Sequence, residues 1–379
     1  MKIRLFEIVF FLVFVPLQAV AGEMIVPAPP TIKASSYVVM DFNSGNLLVE
    51  QNTDQKLPPA SLTKIMTIYV VASELANGKI SLEDEVLVSE KAWRTQGSRM
   101  FIEVNKKVKL DDLLHGVIIQ SGNDASVALA EYISGTEGVF ADLMNKHAEQ
   151  LGMSNSHFVN STGLPDPDHY TTASDLAKLA QALIRDYPEV YDLHKIKEFT
   201  FNKIKQHNRN KLLWRDRSVD GIKTGHTEEA GYCLVASAAR DGMRLISVVM
   251  GTDGMNARAK ASQAILNYGF RFFETHKLYS AGDLITSVKV WKADIDNLNL
   301  SINEDIYITV PRGKYEKLEP IVELDKQIIA PVNQGDQKGV LNIILENKTI
   351  TTVPLLALES IAEGGIVNRL KDEVYLLFE

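Results

Sequence analysis

The hydrophobic pattern changes period several times along the chain. SYVVMDFNSGNLLVEQ, Ser36 to Gln51, reads as two short strands around Asn43-Ser44-Gly45, a hairpin turn signal. Leu62 to Ala76 carries apolar residues at helical spacing with no Gly or Pro and stops near Asn77-Gly78. Leu110 to Gln120, alanine-rich Asp124 to Ser134 and Ser174 to Arg185 are three further helices. After Gly221 the period becomes that of strands. GYCLVASAARDGMRLISVVMG is two runs of strand formers around Asp241-Gly242, the strongest short hairpin signal in the chain, and a helix from about Arg258 to Asn267 follows. Strands, then helices, then strands and a helix predict an α+β fold, an antiparallel sheet flanked by helices rather than alternating βαβ units.

Near Tyr279 to Asp283 the pattern shifts again. SVKVW, DIYITV, GVLNIIL and TITTVPLL are short alternating runs separated by turn residues, which predicts a small all-β sandwich over residues 281–362 behind a first domain over 22–280. Beyond Gly364-Gly365, the residues Val367, Leu370, Val374 and Leu377 form one stripe of a terminal amphipathic helix, 363–379. That stripe fits packing on the protein's own surface or lying in a membrane interface. Acidic residues outnumber basic ones there, so an anionic lipid surface adds no attraction.

The extreme N-terminus sets a compartment. Lys2 and Arg4 precede an apolar run, Ile8 to Pro16, and then Ala19-Val20-Ala21. This is the layout of a secretory signal peptide with cleavage after residue 21, and places the mature chain outside the cytoplasm. The 379 residues carry a net charge of −8, with no basic excess to neutralise a phosphate backbone, so a nucleic-acid partner is excluded. The single cysteine, Cys233, rules out an intramolecular disulfide and reads as a packed strand residue. The eight histidines form no His-Glu-x-x-His or related cluster, and neither a metal nor another cofactor is expected.

Three short motifs carry the chemistry: Ser61-Leu62-Thr63-Lys64, Ser121-Gly122-Asn123 and Lys223-Thr224-Gly225. Singly they are weak, since a Ser-x-x-Lys arises about once by chance in a chain this long. Their placement is the signal. Ser61 follows Pro58-Pro59-Ala60 and opens the apolar helix, so Lys64 shares its face. A serine hydroxyl needs a base within hydrogen-bond reach, and a lysine serves only when neutral. The helix N-terminus, burial beneath Ile65 and Met66, and Lys223 as a second cation would all push Lys64 that way. The plain alternative is a capping serine. Ser121, in a loop between two buried helices, is placed to relay a proton to a leaving nitrogen, and Asn123 either bonds a substrate amide or holds Lys64. Again the alternative is an N-cap. Lys223-Thr224-Gly225 begins the strand region, where Gly225 lets a substrate backbone approach and the edge can pair with an extended peptide. The backbone N–H groups of Ser61 and His226 would then be oxyanion donors, with Thr224 and Lys223 on a terminal carboxylate.

With the phrases SLTKIMT, IQSGND, LGMSNSHFVNSTGLP, DGIKTGHT, AGYCLVASA and GFRFFET, the three motifs in this order make the chain resemble the low-molecular-mass penicillin-binding proteins. Specifically, it is similar to the D-alanyl-D-alanine carboxypeptidases of the penicillin-binding protein 5/6 group. The likeness runs over nearly the whole mature chain, including VPRG at Val310 to Gly313. It implies a penicillin-binding-protein/β-lactamase-like fold. It also implies removal of the terminal D-alanine from peptidoglycan stem pentapeptides through an acyl-enzyme, and acylation by β-lactams. Carried over, Ser61 is the nucleophile, Lys64 its base, and Ser121, Asn123 and Lys223 complete the site, with Thr224 and Gly225 on the binding strand. Arg209 and Arg258 match positions near the substrate carboxylate; each also reads as an ordinary surface arginine.

Three other functions share these features. A β-lactamase would need a deacylating carboxylate, and the Glu-x-x-x-Asn of class A enzymes is absent from the corresponding stretch, occurring only at Glu198 to Asn202. A D,D-endopeptidase or transpeptidase differs in which amide it cleaves or which group accepts the acyl. A non-catalytic wall-binding scaffold would leave the reactive set without use.

Overall fold

The computed structural model describes residues 26–376; the expected signal peptide lies outside them. Strand β1 (Ser36–Asp41) is buried along its whole length. It pairs antiparallel with β2 (Leu47–Gln51) on one side through the expected turn. The central sheet is completed by β3 (Val219–Thr227), β4 (Gly231–Arg240) and β5 (Met243–Thr252), in the order β2-β1-β5-β4-β3, every pair antiparallel. The β4–β5 turn at Asp241-Gly242 has φ of +48° and +82°, the doubly left-handed geometry that matches strand twist in a two-residue hairpin.

Side-chain alternation divides the sheet between two cores. Val38, Met40, Cys233, Val235, Ile246, Val248 and Met250 face one side, while Tyr37, Val39, Leu234, Ala236, Leu245 and Val249 face the other. The first side is covered by helices α1 (Lys64–Ala76), α2 (Leu110–His115), α3 (Asn123–Ser134), α4 (Glu137–Gln150) and α5 (Ala173–Asp186). Helix α1 is buried from Lys64 to Glu74, so it runs through the core rather than over it. The second side is covered by α6 (Met255–Phe272). This is the helix-flanked antiparallel sheet expected.

The departures have local causes. The helix predicted over Leu110 to Gln120 is α-helical only to His115; its last turn, Gly116–Gln120, widens to a π-helix and ends at Ser121 with φ +65° and ψ +36°. Gly116 lies so close to Met100 that a Cβ would sit 2.2 Å from its sulfur. Helix α6 runs past the expected stop because Gly269 is a packing residue, its missing Cβ facing Leu245 Cδ1 at 2.6 Å. Helix α4 was not anticipated: it buries Phe140, Met144 and Ala148 on one narrow stripe, with Thr136 as N-cap. The strands Glu198–Phe201 and Ile204–His207 were also not anticipated. Their turn uses Asn202 and Lys203 at positive φ, with no glycine to mark it.

C-terminal to α6, β6 (Phe273–Tyr279), β7 (Leu284–Lys289), β8 (Asn297–Ser301), β9 (Ile306–Pro311), β10 (Leu318–Leu324), β11 (Gln337–Leu345) and β12 (Lys348–Ala357) form two sheets. One is five-stranded, β7-β8-β12-β11-β10, and the other pairs β6 with β9, around a separate core containing Leu298, Leu300, Ile343 and Leu355. The buried Asp41 carboxylate joins this part to the first: it accepts from Thr275 Oγ1 at 2.7 Å, and Ser44 Oγ lies 2.6 Å from Thr309 Oγ1. Helix α7 (Ile366–Leu376) follows, its Ile366, Val367, Leu370 and Val374 exposed. No helix among the described residues is long and apolar enough to cross a membrane.

Candidate active site

Ser61 sits on a single 3-10 turn, Ala60–Thr63, that runs directly into α1. Neither Ser61 nor Ser121 caps a helix: no side chain caps this turn, and α3 starts from Gly122 without a side-chain cap. Instead both hydroxyls meet lysines. Lys64 Nζ is 3.2 Å from Ser61 Oγ, and Lys223 Nζ donates to Ser121 Oγ at 2.8 Å and to Thr224 O at 3.1 Å.

Lys64 is fully buried, and its amine meets two further acceptors at 2.7 Å, Asn123 Oδ1 and Thr162 O. Of the two uses expected for Asn123, holding Lys64 is the one seen; its Nδ2 is tied to Gln96 O at 2.6 Å. Burial is the main influence on Lys64 and pushes its pKa down to about 7. The Arg209 guanidinium adds to this, against an opposing pull from Asp124 and Glu137. The sequence pointed to Lys223 as the second cation acting on Lys64. The two amines do oppose each other, since Lys64 comes second only to burial in driving Lys223 well below the ordinary lysine range, and Arg209 is a further cation acting on Lys64. Two adjacent ammonium groups out of water are costly, so the pair favours carrying fewer charges than two.

Lys223, Thr224 and Gly225 occupy the outer strand β3, in register with Val235, Leu234 and Cys233. The space a Gly225 side chain would need is taken by the protein's own chain, Pro59 O at 2.9 Å and Leu62 Cγ at 3.2 Å, so this glycine seats β3 against the Ser61 turn. His226 is exposed and stacks flat on Tyr232, centroids 3.8 Å apart, with Nδ1 3.0 Å from Gly231 O. The two arginines differ. Arg258 is no surface residue: it is buried, and its Nη1 reaches Gly225 O at 2.8 Å and Cys233 O at 3.3 Å, bracing β3 from behind. Arg209 is exposed and donates from Nε to Gln120 O at 3.0 Å, next to Ser121. Cys233 is buried, its thiol pushed up to about 11, as a packed strand residue should be.

Sequence reasoning missed the loop that supplies Thr162 O. Asn160 Oδ1 accepts from Thr162 N, Thr162 Oγ1 and Gly163 N at 3.1, 3.0 and 2.7 Å, which turns the Thr162 carbonyl toward Lys64. Gly163, at φ +82°, lies against the Ser61 turn; a Cβ there would be 1.8 Å from Ala60 O. His169 ties loop to turn. Its Nδ1 accepts from Val159 N at 3.2 Å, which makes Nε2 the protonated nitrogen donating to Thr63 Oγ1 at 2.8 Å. Burial lowers this imidazole to about 4, so it stays neutral. The only advance signal was Asn-Ser-Thr-Gly, an Asx-turn composition.

The carboxylates that influence Lys64 are engaged elsewhere. Asp124 accepts from the backbone N–H groups of Met100, Phe101, Ile102 and Ala125. Glu137 binds Ser161 and Lys91. The Glu-x-x-x-Asn at Glu198 to Asn202 lies on an exposed hairpin.

Comparison with known proteins agrees with this geometry. Residues 23–254 match the family model for D-alanyl-D-alanine carboxypeptidase, and residues 273–363 match that for the C-terminal domain of penicillin-binding protein 5. The chain is 45% identical over 377 residues to D-alanyl-D-alanine carboxypeptidase DacC of Escherichia coli K12, covering 97% of this chain and 94% of that one. Penicillin-binding protein 5 from Haemophilus influenzae superimposes with a TM-score of 0.87 at 45% identity, over 89% of this chain and all of that one. Penicillin-binding protein D2 from Listeria monocytogenes, solved in an ampicillin-bound form, gives a TM-score of 0.59 at 32% identity over 63% of this chain and 98% of that one. By sequence, by fold and by the site it builds, the chain belongs to the serine D-alanyl-D-alanine carboxypeptidase family.

Proposed function

We propose that this chain trims peptidoglycan stem pentapeptides with Ser61 as nucleophile and Lys64 as its base. The observation that carries this is the surroundings of the Lys64 amine. A neutral amine has two N–H bonds and one lone pair. Asn123 Oδ1 and Thr162 O, each at 2.7 Å, take the two N–H bonds, which leaves the lone pair for the Ser61 hydroxyl at 3.2 Å. Ser61 Oγ then bonds to the carbonyl carbon of the penultimate D-alanine as its proton passes to Lys64. The C–N bond breaks, the proton reaches the leaving nitrogen through Ser121, and free D-alanine departs. Water attacks the resulting ester, with Lys64 again as base, and restores Ser61.

The remaining residues bind. The backbone N–H groups of Ser61 and His226 stabilise the oxyanion, each such donor typically worth about 3–4 kcal/mol. Thr224, Lys223 and Arg209 receive the terminal carboxylate, and Gly225 and Arg258 hold β3 in place for it. A β-lactam presents an equivalent acyl group and tail carboxylate, so it acylates Ser61. Ring opening leaves the β-lactam amine attached beside the ester, where departed D-alanine makes room for water, and Asp124 and Glu137 are held by protein donors, so this ester outlasts the peptide one. The mature chain works in the periplasm, with the apolar side of α7 touching the outer face of the cytoplasmic membrane. Helix α7 is tethered to the β domain through Lys292, whose backbone N donates to Asp372 and whose amine pairs with Glu373. Those bonds engage its acidic residues and leave Ile366, Val367, Leu370 and Val374 outward.

The test is incubation with a pentapeptide ending in two D-alanines, followed by mass analysis of product and protein. Free D-alanine and a lasting penicillin adduct on Ser61 are expected, both lost in Ser61→Ala. Rapid hydrolysis of the β-lactam with loss of label would make the protein a β-lactamase instead. Muropeptide binding without D-alanine release, unaffected by Ser61→Ala, would make it a scaffold.

A further inference from the structure

Next to Gln96 and Ser98, whose carbonyls accept from Asn123, lies a cavity of about 350 Å³ that the hydrolytic mechanism does not use. One wall is the segment 93–103 and the other is the hairpin carrying Asn202 and Ile204. Three large apolar side chains are displayed around it: Trp93, Phe101 and Ile204 are 40%, 49% and 41% exposed. Phe101 is held open at a cost. Its φ is +69°, a region a bulky residue avoids by about 1–2 kcal/mol. Both ends of its peptide are clamped, N–H to Asp124 Oδ2 at 2.9 Å and C=O to Asn202 Nδ2 at 3.2 Å.

We propose that this cavity is a carbohydrate subsite for the glycan end of the muropeptide whose stem is cleaved at Ser61. The proposal rests on the peptidase reading above and extends it to a second part of the same substrate.

Continuity with the site is the first argument. From Ser61 Oγ the path runs to Lys64 Nζ, to Asn123 Oδ1, across one peptide link to Asp124, and to Phe101 N, three hydrogen bonds in all. That bounds the separation at about 20 Å. A pentapeptide cut before its last residue has four residues between the scissile carbonyl and the sugar-bearing end, about 13–14 Å when extended. The reach of the stem falls inside that bound.

The chemistry of the lining is the second. A pyranose offers flat C–H faces and a rim of hydroxyls, and needs aromatic faces with donors and acceptors beside them. Trp93 and Phe101 supply the faces; the Glu103 carboxylate, Asn202 Oδ1 and Arg99 Nη1 supply the polar groups, the Nε and Nη2 of Arg99 being bonded to Thr95 O and Arg94 O. Arg99 and Glu103 cancel in formal charge, which suits an uncharged ring better than an ionic side chain of the stem. The Glu103 carboxylate has no ion-pair partner among the described residues, so it is available as an acceptor.

The test compares a free stem pentapeptide with the same peptide carrying its disaccharide. Calorimetric binding to Ser61→Ala needs no turnover and is the first readout. A preference of about five- to tenfold for the disaccharide form is expected, collapsing to about one when Trp93→Ala is added and falling also with Ile204→Ser on the opposite wall. In the otherwise unaltered enzyme, Trp93→Ala should reduce kcat/KM for the disaccharide form by the same factor and leave the free pentapeptide within twofold. No preference in Ser61→Ala, or a preference that survives both substitutions, overturns the subsite. Loss of D-alanine release with the binding preference intact would instead count against the peptidase reading alone.

Discussion

The acid–base reading of Lys64 makes a quantitative demand on how acylation depends on pH. Burial and Arg209 bring this amine from 10.5 to about 7. A fall of about 3.5 units is roughly 5 kcal/mol of disfavour for the ammonium, with no solvent screening to discount because the residue is wholly buried. At pH 7 about half of the Lys64 amines are then neutral, against roughly one in three thousand for an ordinary exposed lysine. The neutral form is the active one, so the rate must rise with pH through about 7 and level off above it. Between pH 6 and pH 8 the rise is about tenfold. The second-order rate of acylation by a fluorescent penicillin, followed from pH 5 to pH 10 by quenching and gel fluorescence, measures this directly. Arg209→Gln removes one cause and leaves the larger, so the midpoint moves upward but stays below 10.5. Movement from about 7 to about 8 lowers the rate at pH 7 about fivefold, and further movement about tenfold per unit; any loss of carboxylate binding shows separately, as a lower plateau. Lys64→Arg, charged at every accessible pH, should acylate at least 10²–10³ times more slowly. A flat profile from pH 5.5 to pH 9 in the unaltered enzyme would refute the reasoning. So would a midpoint that does not respond to Arg209→Gln, which would leave burial and Lys223 to account for it.

Two further predictions concern parts outside the acid–base pair. Gly163→Ala places a methyl 1.8 Å from Ala60 O at a φ of +82°, with backbone on both sides of the clash. It should cost on the order of 2–4 kcal/mol in thermal or urea unfolding and slow acylation in step; a change below about 0.5 kcal/mol would show that loop and turn are not packed as described. Ending the chain after Gly365 removes Ile366, Val367, Leu370 and Val374 together. It should abolish co-sedimentation with phospholipid vesicles and leave D-alanine release unchanged, and equal sedimentation of both forms would remove the membrane contact.

Legibility in the sequence followed how local each determinant was. The Ser61–Lys64 pair was readable because both residues sit one helical turn apart, and the Asp241-Gly242 hairpin because its turn chemistry is contiguous. The pairing of Lys223 with Ser121, 102 residues away, was reached only through the order of the motifs. Helix α4 hides because only a narrow stripe is buried, and the hairpin at Asn202-Lys203 because its positive-φ residues are not glycines. The Thr162 carbonyl escaped altogether. Backbone groups leave no mark in composition, and its aim is set by Asn160, Gly163 and the distant His169 acting together. Gly225 and Gly269 show the converse: each was visible as a glycine, but what each makes room for is a neighbour far along the chain.

The position of β1 governs how this molecule can be assembled. It is the first strand among the described residues, yet its partner on one side is β5, so Asp41 faces Leu245 and Ser36 faces Met250. More than two hundred residues must be present before the middle of the sheet can close, and both cores depend on that closure because β1 contributes side chains to each. Such long-range pairing places the entropy of a very large loop ahead of most of the reward. A nascent chain that stops short of Thr252 therefore holds Ser61, Lys64 and their helices without the scaffold that unites them. Reactivity arrives late and all at once, when the last strand of the central sheet slides in.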